Sequence, residues 1–336
     1  SKMYTFWTGR LTVDLGDFNE TILLKEYSEI LKILLLDNTT KKNIIWATNN
    51  YEKRGEGYSS TNEIKLNLIN SKAKIIKPRI EKSKIEQLKR SKDKAEVFTP
   101  SWIVNKQNNL VDNNWFKKEN VFNKENDDKT WNITKKIVFP EDKTWIDYIK
   151  DIRLEICCGE APYLVSRYDS VTGKYIDLKN RVGFLDRKFR IINENAKDDN
   201  EWLEYSLQAI KSIYGYEFQG DNLLIARENV LFDFIDYFQA RFNKIPPNNL
   251  LIEVATIISW NLWQMDGIKY VVPFSCHNQT PHYVQLSLFD DVEKPKVEKC
   301  PGCKSGNPKE HNGKRCYIMD WEKNKKIKFV SLIWRG

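Results

Sequence analysis

The sequence predicts an α/β protein with a mostly parallel sheet, preceded by an N-terminal β-containing region and followed by a cysteine-rich C-terminal module. Helical and strand-like patterns alternate through residues 95–270, which is typical of a parallel sheet with helical crossovers. After Val271 this alternation ends, and most of the cysteines lie there. We therefore expect a mixed α/β region over 1–76, a main domain over 77–270 and a loop-rich module over 271–336.

Composition limits the class of protein. The 336 residues are 41% hydrophobic and 12% aromatic, enough for a sizeable core and too apolar for a disordered chain. The formal net charge of +8 favours a polyanionic partner. No apolar run approaches the roughly 20 residues of a membrane-spanning helix, and no export leader is recognisable, so a cytoplasmic protein without membrane contact is expected. Six cysteines in such a chain indicate thiols or metal ligands rather than disulfides.

The N-terminal region reads as short strands and turns around one helix. Alternation over 11–15 predicts a strand, and the compact apolar run over 44–48 ends at an Asn-Asn turn signal. Between them, 21–36 has a helical pattern.

A basic helix is expected over 77–94. Ile80, Ile85 and Leu88 recur on one side, and Lys82, Lys89 and Arg90 are among its many cations. Two interpretations remain open. The cations form a solvated helix face, or they contact the phosphates of DNA.

The main domain supplies the sheet. Residues 153–157 and 213–218 read as strands, and a helix over 201–212 lies between them. Apolar residues at helical spacing predict a long helix over 222–242. Residues 250–260 form a further apolar helix or strand.

Two acidic residues mark a ligand site at the carboxyl ends of these strands. Ligands of doubly wound sheets bind at that edge, where a Gly-containing turn lets them approach the backbone. Glu155 and Gly159 flank the first such turn, which also contains Cys157. Glu217 ends the next strand, where a carboxylate can accept two hydrogen bonds from ribose hydroxyls.

Four motifs in order resemble those of the gamma-type, N6-adenine-specific DNA methyltransferases that serve as modification subunits of restriction systems. The first, with Phe98, Thr99 and Pro100, is similar to the segment that packs on the methionine part of the cofactor. The remaining three are the 154–161 turn, Glu217 with the helix after it, and the 261–267 stretch containing Asp266.

The resemblance covers about residues 75–270. It implies a Rossmann-like S-adenosylmethionine-dependent methyltransferase core with an N-terminal β-containing region and a C-terminal zinc-knuckle module. The residues it places at S-adenosylmethionine are Phe98, Thr99, Pro100, Glu155, Cys157, Gly159, Glu217 and Asp266.

The catalytic tetrapeptide of this family, of the Asn-Pro-Pro-Tyr type, is not recognisable. It accepts hydrogen bonds from the adenine amino group and stacks an aromatic ring on the flipped base. After Asp266 the chain offers Pro273 and Phe274 as the nearest candidates, with no Asn or Asp before the proline. Residues 246–249 are two prolines followed by two asparagines, which is the wrong order for this motif, and they are expected to form a loop between helices.

The C-terminal module carries a metal-ligand pattern. Cys300 and Cys303 form a C-x-x-C knuckle, and His311 and Cys316 complete a three-Cys, one-His set suited to a closed structural Zn²⁺ site. Cys276 and His277 are further candidates, but the first four already fill a tetrahedral site. Two further cations on this module are expected to contact DNA phosphates, namely Lys314 and Arg315.

A short peptide over 285–289 resembles the segment with which bacterial replication and repair proteins dock on the sliding clamp. Leu288 and Phe289 would fill an apolar pocket, and Gln285 would hydrogen-bond beside it. The alternative is a short buried strand against the zinc module.

The predicted function is S-adenosylmethionine-dependent adenine-N6 methylation of double-stranded DNA, in a restriction–modification or phage setting. A catalytically silent methyltransferase-like subunit is the main alternative, because the catalytic motif is missing. Such a subunit would bind DNA or act with a restriction subunit or a second methyltransferase subunit. RNA methylation is a third possibility.

Overall fold

The computed structural model describes residues 28–69, 75–94, 99–279 and 298–334. The helices, in chain order, are α1 Ser28–Leu35, α2 Leu66–Ile69, α3 Lys84–Lys94, α4 Ser101–Phe116, α5 Trp145–Lys150, α6 Phe184–Asn195, α7 Asp199–Lys211, α8 Gly220–Phe242, α9 Asn248–Asn261, α10 Pro301–Ser305 and α11 Val330–Ile333. The strands are β1 Leu36–Asp37, β2 Lys42–Asn43, β3 Asn123–Glu125, β4 Trp131–Ile133, β5 Arg153–Glu155, β6 Ile213–Glu217, β7 Leu262–Gln264, β8 Tyr317–Asp320 and β9 Lys325–Lys328.

A three-stranded parallel sheet organises the main domain, in the order β5-β6-β7. Helices α6 and α7 connect β5 to β6, and α8 and α9 connect β6 to β7, because parallel neighbours need a crossover. The mixed α/β class with a parallel sheet is therefore confirmed. The remaining pairs in the described residues are two-stranded and antiparallel.

The main elements lie close to their predicted positions. Both strands of the first βαβ unit begin at the predicted residue, and the segment left open between helix and strand is helix α9. The N-terminal helix is described from Ser28 and ends at Leu35. The strand predicted over 11–15 lies outside the described residues.

The N-terminal region shares the core of the main domain. Helix α1 packs against α9, and its buried leucines and isoleucine join the same apolar cluster as α6 to α9. Arg227 of α8 is fully buried and donates hydrogen bonds to the backbone carbonyls of Leu34, Leu36 and Leu262. One side chain therefore joins α1, β1 and β7.

The C-terminal residues form a second layer on the sheet. Alternation along β6 and β7 places Tyr214, Tyr216 and Trp263 on one face. Ile318 of β8 and Phe329 pack against them in a second apolar cluster. The described residues after 270 therefore cover one face of the sheet.

Candidate functional site

The turn after β5 is stabilised by the carboxylate of Glu155. This buried side chain accepts hydrogen bonds from the backbone N–H groups of Tyr163, at 3.4 Å, and Leu164, at 3.2 Å. Burial raises the pKa of Glu155 well above its usual value, with a smaller contribution from Glu217. The strand and the loop that follows it are thus held together by a strongly desolvated acid.

Glu217 holds the same turn against the end of β6. Its Oε2 accepts the N–H of Gly159 at 2.9 Å, and its Oε1 accepts the N–H of Gln219 at 3.0 Å. Burial raises the pKa of Glu217 as well. The two acidic residues singled out in the sequence therefore lie at one edge of the sheet.

Asp266 closes the turn after β7 at the same edge. Its Oδ1 accepts the N–H groups of Ile268 at 3.1 Å and Lys269 at 3.0 Å. A Cβ on Gly267 would lie 2.8 Å from the Tyr216 ring and 3.5 Å from the Cys157 sulfur. The turns after β5 and β7 thus meet over the end of β6. We name this place, formed by Glu155, Cys157, Gly159, Glu217 and Asp266, the acidic edge.

The segment with Thr99 and Pro100 is tied to the loop after the acidic edge. The carbonyl of Thr99 accepts the Ser170 hydroxyl at 2.8 Å, and Pro100 precedes helix α4. Both the N–H and the hydroxyl of Ser101 donate to Asp169 at 2.7 Å. Phe98 lies outside the described residues.

Four residues around the acidic edge have left-handed backbone. Cys157 and Ala161 after β5, and Tyr270 and Phe274 after β7, all have φ between +49° and +62°. Left-handed backbone is costly for residues with a Cβ, and such conformations cluster at functional sites.

Pro273 and Phe274, the candidates for the missing catalytic loop, have different environments. Pro273 is buried, whereas Phe274 is 53% exposed and contacts Phe218 edge-on with a ring separation of 5.6 Å. Phe218 directly follows β6, so an accessible aromatic pair lies next to the acidic edge. The sequence reading missed Phe218, although its place after Glu217 was a usable signal.

The basic helix has the reverse orientation to the one expected. Lys82 and Arg90, predicted to contact DNA, are 6% and 1% exposed and pair with Asp221 at the start of α8. Tyr51 also donates to Asp221, at 2.9 Å. These two cations neutralise a buried carboxylate and do not face solvent, because an unpaired charge in the interior costs several kcal/mol.

The outward face of α3 is apolar and basic. Ile85 is 81% exposed and Leu88 is 72% exposed, so the apolar side predicted for this helix faces solvent. Lys89 is exposed beside them and keeps the accessibility that a phosphate contact needs.

Four metal-ligating side chains converge in the C-terminal layer. The sulfurs of Cys276, Cys300 and Cys303 lie 3.5, 3.7 and 3.6 Å from Nδ1 of His311. All four ligand atoms lie within 4.8 Å of one another, so this Cys3His cluster could hold a metal ion. Ligand distances of about 2.3 Å for sulfur and 2.0 Å for nitrogen imply S···N separations of about 3.5 Å around a tetrahedral ion.

Hydrogen bonds from neighbouring residues orient the side chains of the Cys3His cluster. The N–H of Asn312 donates to the Cys300 sulfur at 3.3 Å, while its side chain donates to the carbonyl of His277 at 2.8 Å. Burial opposes ionisation of Cys300, but backbone hydrogen bonds from Asn312 and Cys303 lower its pKa to about 6. A Cβ on Gly302 would lie 2.5 Å from the backbone nitrogen of His311, so only glycine fits there.

Cys316, assigned as the fourth ligand, is not part of the cluster. It lies in the apolar layer over the sheet and its sulfur contacts the Gln264 carbonyl at 3.5 Å. Burial raises the pKa of the Cys316 thiol well above its usual value. Cys276 takes its place, because the loop after β7 brings this distant cysteine to the knuckle. The sequence does carry a signal for this ligand, because Cys276 is a further Cys in the same module.

The two cations of this module that were predicted to contact DNA have different environments. Lys314 is exposed. Arg315 donates to the carbonyls of Lys269 at 2.9 Å and Pro308 at 3.0 Å. Arg315 therefore joins the knuckle to the turn after β7 and is not a free phosphate contact.

Two cavities lie elsewhere. One of about 310 Å³ is lined by Phe122, Arg187 and Tyr237, and one of about 250 Å³ lies between β5 and the β8–β9 hairpin. Neither is lined by the acids of the acidic edge. Gln285, Leu288 and Phe289, the predicted clamp-docking residues, fall outside the described residues.

Comparisons with known proteins identify no relative. No protein family model matches the chain, and neither a curated protein nor a solved structure is significantly similar to it. In the part of the chain that the structure describes, no helix is both long and apolar enough to cross a bilayer.

Proposed function

We propose that the acidic edge binds S-adenosylmethionine and that the chain methylates adenine N6 in double-stranded DNA, in a restriction–modification or phage setting. The observation that carries the proposal is the 2.9 Å hydrogen bond from Gly159 to Glu217. It joins the turn after the first strand to the acid after the second, which is where open α/β sheets bind their ligands.

The acidic edge has room and acceptor capacity for the cofactor. A Cβ placed on Gly159 would meet no atom within 4 Å, so the backbone there is open to a ligand. Glu217 accepts backbone hydrogen bonds from Gly159, Gln219 and Phe218, and an ionised carboxylate offers about four acceptor positions. About one position remains for a ribose hydroxyl.

The cofactor supplies an electrophilic methyl group, and the chain supplies position. Phe274 and Phe218 are suited to stack on an extruded base next to the acidic edge. Lys89 and Lys314 are exposed and suited to phosphate contacts.

A catalytically silent subunit is the second candidate function. The loop after Asp266 has no Asn or Asp before Pro273, and the proline itself is buried. A partner subunit would then provide the acceptors for the adenine amino group, while this chain holds cofactor or DNA.

We propose further that the Cys3His cluster binds a structural Zn²⁺. Three thiolates and one imidazole form a closed tetrahedral set with no position left for substrate. The surrounding loop is rich in Lys and Gly, so metal binding would supply folding energy there.

The proposal is tested by calorimetric titration with S-adenosylmethionine. Glu217→Gln removes a charged acceptor, worth about 1.5–3 kcal/mol, so affinity should fall about 10- to 100-fold. Glu204→Gln, an exposed glutamate on α7, is the control and should bind like the parent. Equal affinity in both variants would reject the acidic edge as the cofactor site.

Labelled methyl transfer to adenine-containing DNA then separates the two candidate functions. Incorporation by the parent that Glu217→Gln lacks supports the methyltransferase. Cofactor binding without incorporation excludes a stand-alone enzyme and leaves the silent subunit.

A further inference from the structure

Asp266, the acid in the turn after β7, is held by a short ladder of backbone hydrogen bonds that leads into the metal-binding loop. The N–H of Asp266 donates to the Val271 carbonyl at 2.8 Å, and Val271 forms an antiparallel bridge with Arg315. The N–H of Val272 then donates to the Lys314 carbonyl at 2.8 Å. The acidic edge and the C-terminal layer are therefore joined by one stretch of hydrogen-bonded backbone.

The same stretch continues to a ligand of the Cys3His cluster. The Ser275 hydroxyl accepts the N–H of Lys314 at 2.9 Å and donates to the Val272 carbonyl at 2.6 Å. Cys276, the next residue, is one of the four ligands. A Cβ on Gly313 would lie 2.7 Å from the Ser275 hydroxyl oxygen and 3.1 Å from the Cys276 sulfur. The backbone beside this ligand is therefore closely packed against the ladder.

Arg315 makes a second connection, through its side chain. Its guanidinium donates to the carbonyls of Pro308 and His311, at 3.0 and 3.2 Å, and His311 is a ligand of the cluster. The other guanidinium nitrogen donates to the Lys269 carbonyl at 2.9 Å. The N–H of Lys269 donates in turn to the Asp266 carboxylate at 3.0 Å. One side chain thus connects the metal cluster to an acid of the acidic edge.

We propose that metal binding at the Cys3His cluster fixes the position of Asp266 and thereby raises the affinity of the acidic edge for its cofactor, with Arg315 as the positioning residue. This role of Arg315 depends on the cofactor site proposed above. Without the ion, three sulfurs and one imidazole lose their common partner, and the carbonyls around His311 are no longer held in place for Arg315. The cofactor then has to order the turn after β7 itself, which reduces the observed affinity.

The effect should act in both directions, because coupling between two binding sites is reciprocal. Bound metal should raise the cofactor affinity at least about fivefold, which is the lower end of the usual range for coupled sites. Saturating cofactor should raise the metal affinity by the same factor, measured against a competing chelator. A metal that stabilises only its own loop would leave both affinities independent of each other.

Calorimetric titration of the full chain with S-adenosylmethionine, in zinc-loaded and zinc-depleted form, measures this factor. Arg315→Gln keeps all four ligands but cannot span both sets of carbonyls. It should therefore bind about one zinc per chain and lose the difference between the two forms. Arg315→Lys keeps the charge but presents a single ammonium group, so it should behave like Arg315→Gln. Arg54→Gln, at an exposed arginine, should keep the difference seen in the parent.

Amide exchange in residues 266–270 reports on the connection without cofactor, because the N–H groups of Asp266 and Tyr270 are hydrogen-bonded there. Exchange should increase when metal is removed from the parent. In zinc-loaded Arg315→Gln it should already be fast, while helices α6 to α9 stay protected in both proteins.

The two measurements separate this proposal from the proposed function. If the parent binds no S-adenosylmethionine, the proposed function fails, whereas exchange of the turn still decides whether metal fixes Asp266. Equal cofactor affinity of the loaded and depleted parent, or a turn whose exchange is unchanged by metal removal, would overturn the coupling.

Discussion

At the scale of single residues, surroundings decide what each side chain does. Cys276 and Cys316 are both free thiols, but one faces three other ligand atoms and the other packs among Tyr216 and Trp263. A metal ion needs several ligand atoms around one point, which Cys276 has and Cys316 lacks among the described residues.

Replacing these cysteines separates the two roles. Cys276→Ser removes one of four ligands, so purified protein should lose its bound zinc, as measured by elemental analysis. Cys316→Ala should keep about one zinc per chain and lose only packing. Retention of zinc by Cys276→Ser together with its loss in Cys316→Ala would restore the ligand set read from the sequence.

At the scale of elements, helix α3 is oriented by charge and not by apolar periodicity. Its isoleucine and leucine face solvent, because Lys82 and Arg90 must both reach Asp221. Burial works against ionisation of Asp221, but Arg90 and Lys82 outweigh it and lower its pKa below the usual value. The ion pairs therefore fix the helix on the N-terminus of α8.

Breaking this cluster should be strongly destabilising. Asp221→Asn removes the buried carboxylate that Arg90 and Lys82 both contact, so the free energy of unfolding should fall by about 3–5 kcal/mol in denaturant titrations at neutral pH. Arg241→Gln, which breaks the exposed pair with Asp199, should cost less than about 1 kcal/mol.

The pH dependence of this difference follows from the lowered pKa. The stabilisation is present above the unfolded-state pKa of about 3.9 and is lost as pH falls through the folded-state value. The difference in unfolding free energy between the parent and Asp221→Asn should therefore stay constant from neutral pH to about pH 4 and decrease below it. If the two proteins already have the same unfolding free energy at pH 6, the ion pairs do not stabilise the fold.

At the scale of the whole molecule, the sheet is enclosed by segments distant in sequence. Arg227 joins the N-terminal helix to β7, and the β8–β9 hairpin covers Tyr214 and Trp263. The Cys3His cluster connects the loop after β7 to the knuckle that leads into this hairpin.

Metal removal should therefore increase amide exchange in the C-terminal layer and leave the helices on the other side of the sheet protected. With a chelator present, amide exchange should increase in β8, β9 and the knuckle, because the cluster no longer ties them to the loop after β7. Helices α6 to α9 belong to the other apolar cluster and should keep their protection. Uniform exchange across both layers would contradict this division.

Much of the fold follows from local pattern. Apolar periodicity located β5, β6 and the long helix α8. A helix of this length can be recognised from sequence because apolar residues recur at helical spacing over several turns. Acids at the carboxyl ends of strands located the acidic edge, because these ends of parallel strands meet at one edge of the sheet. The C-x-x-C pattern located half of the metal cluster.

The sequence by itself determined the α/β class, the order of the elements and which acids end the strands, because these depend on neighbours within a few residues. Only the tertiary structure decided that Cys276 replaces Cys316 and that Lys82 and Arg90 are buried at Asp221. Each of these depends on residues far apart in the chain, where burial and charge pairing set the outcome.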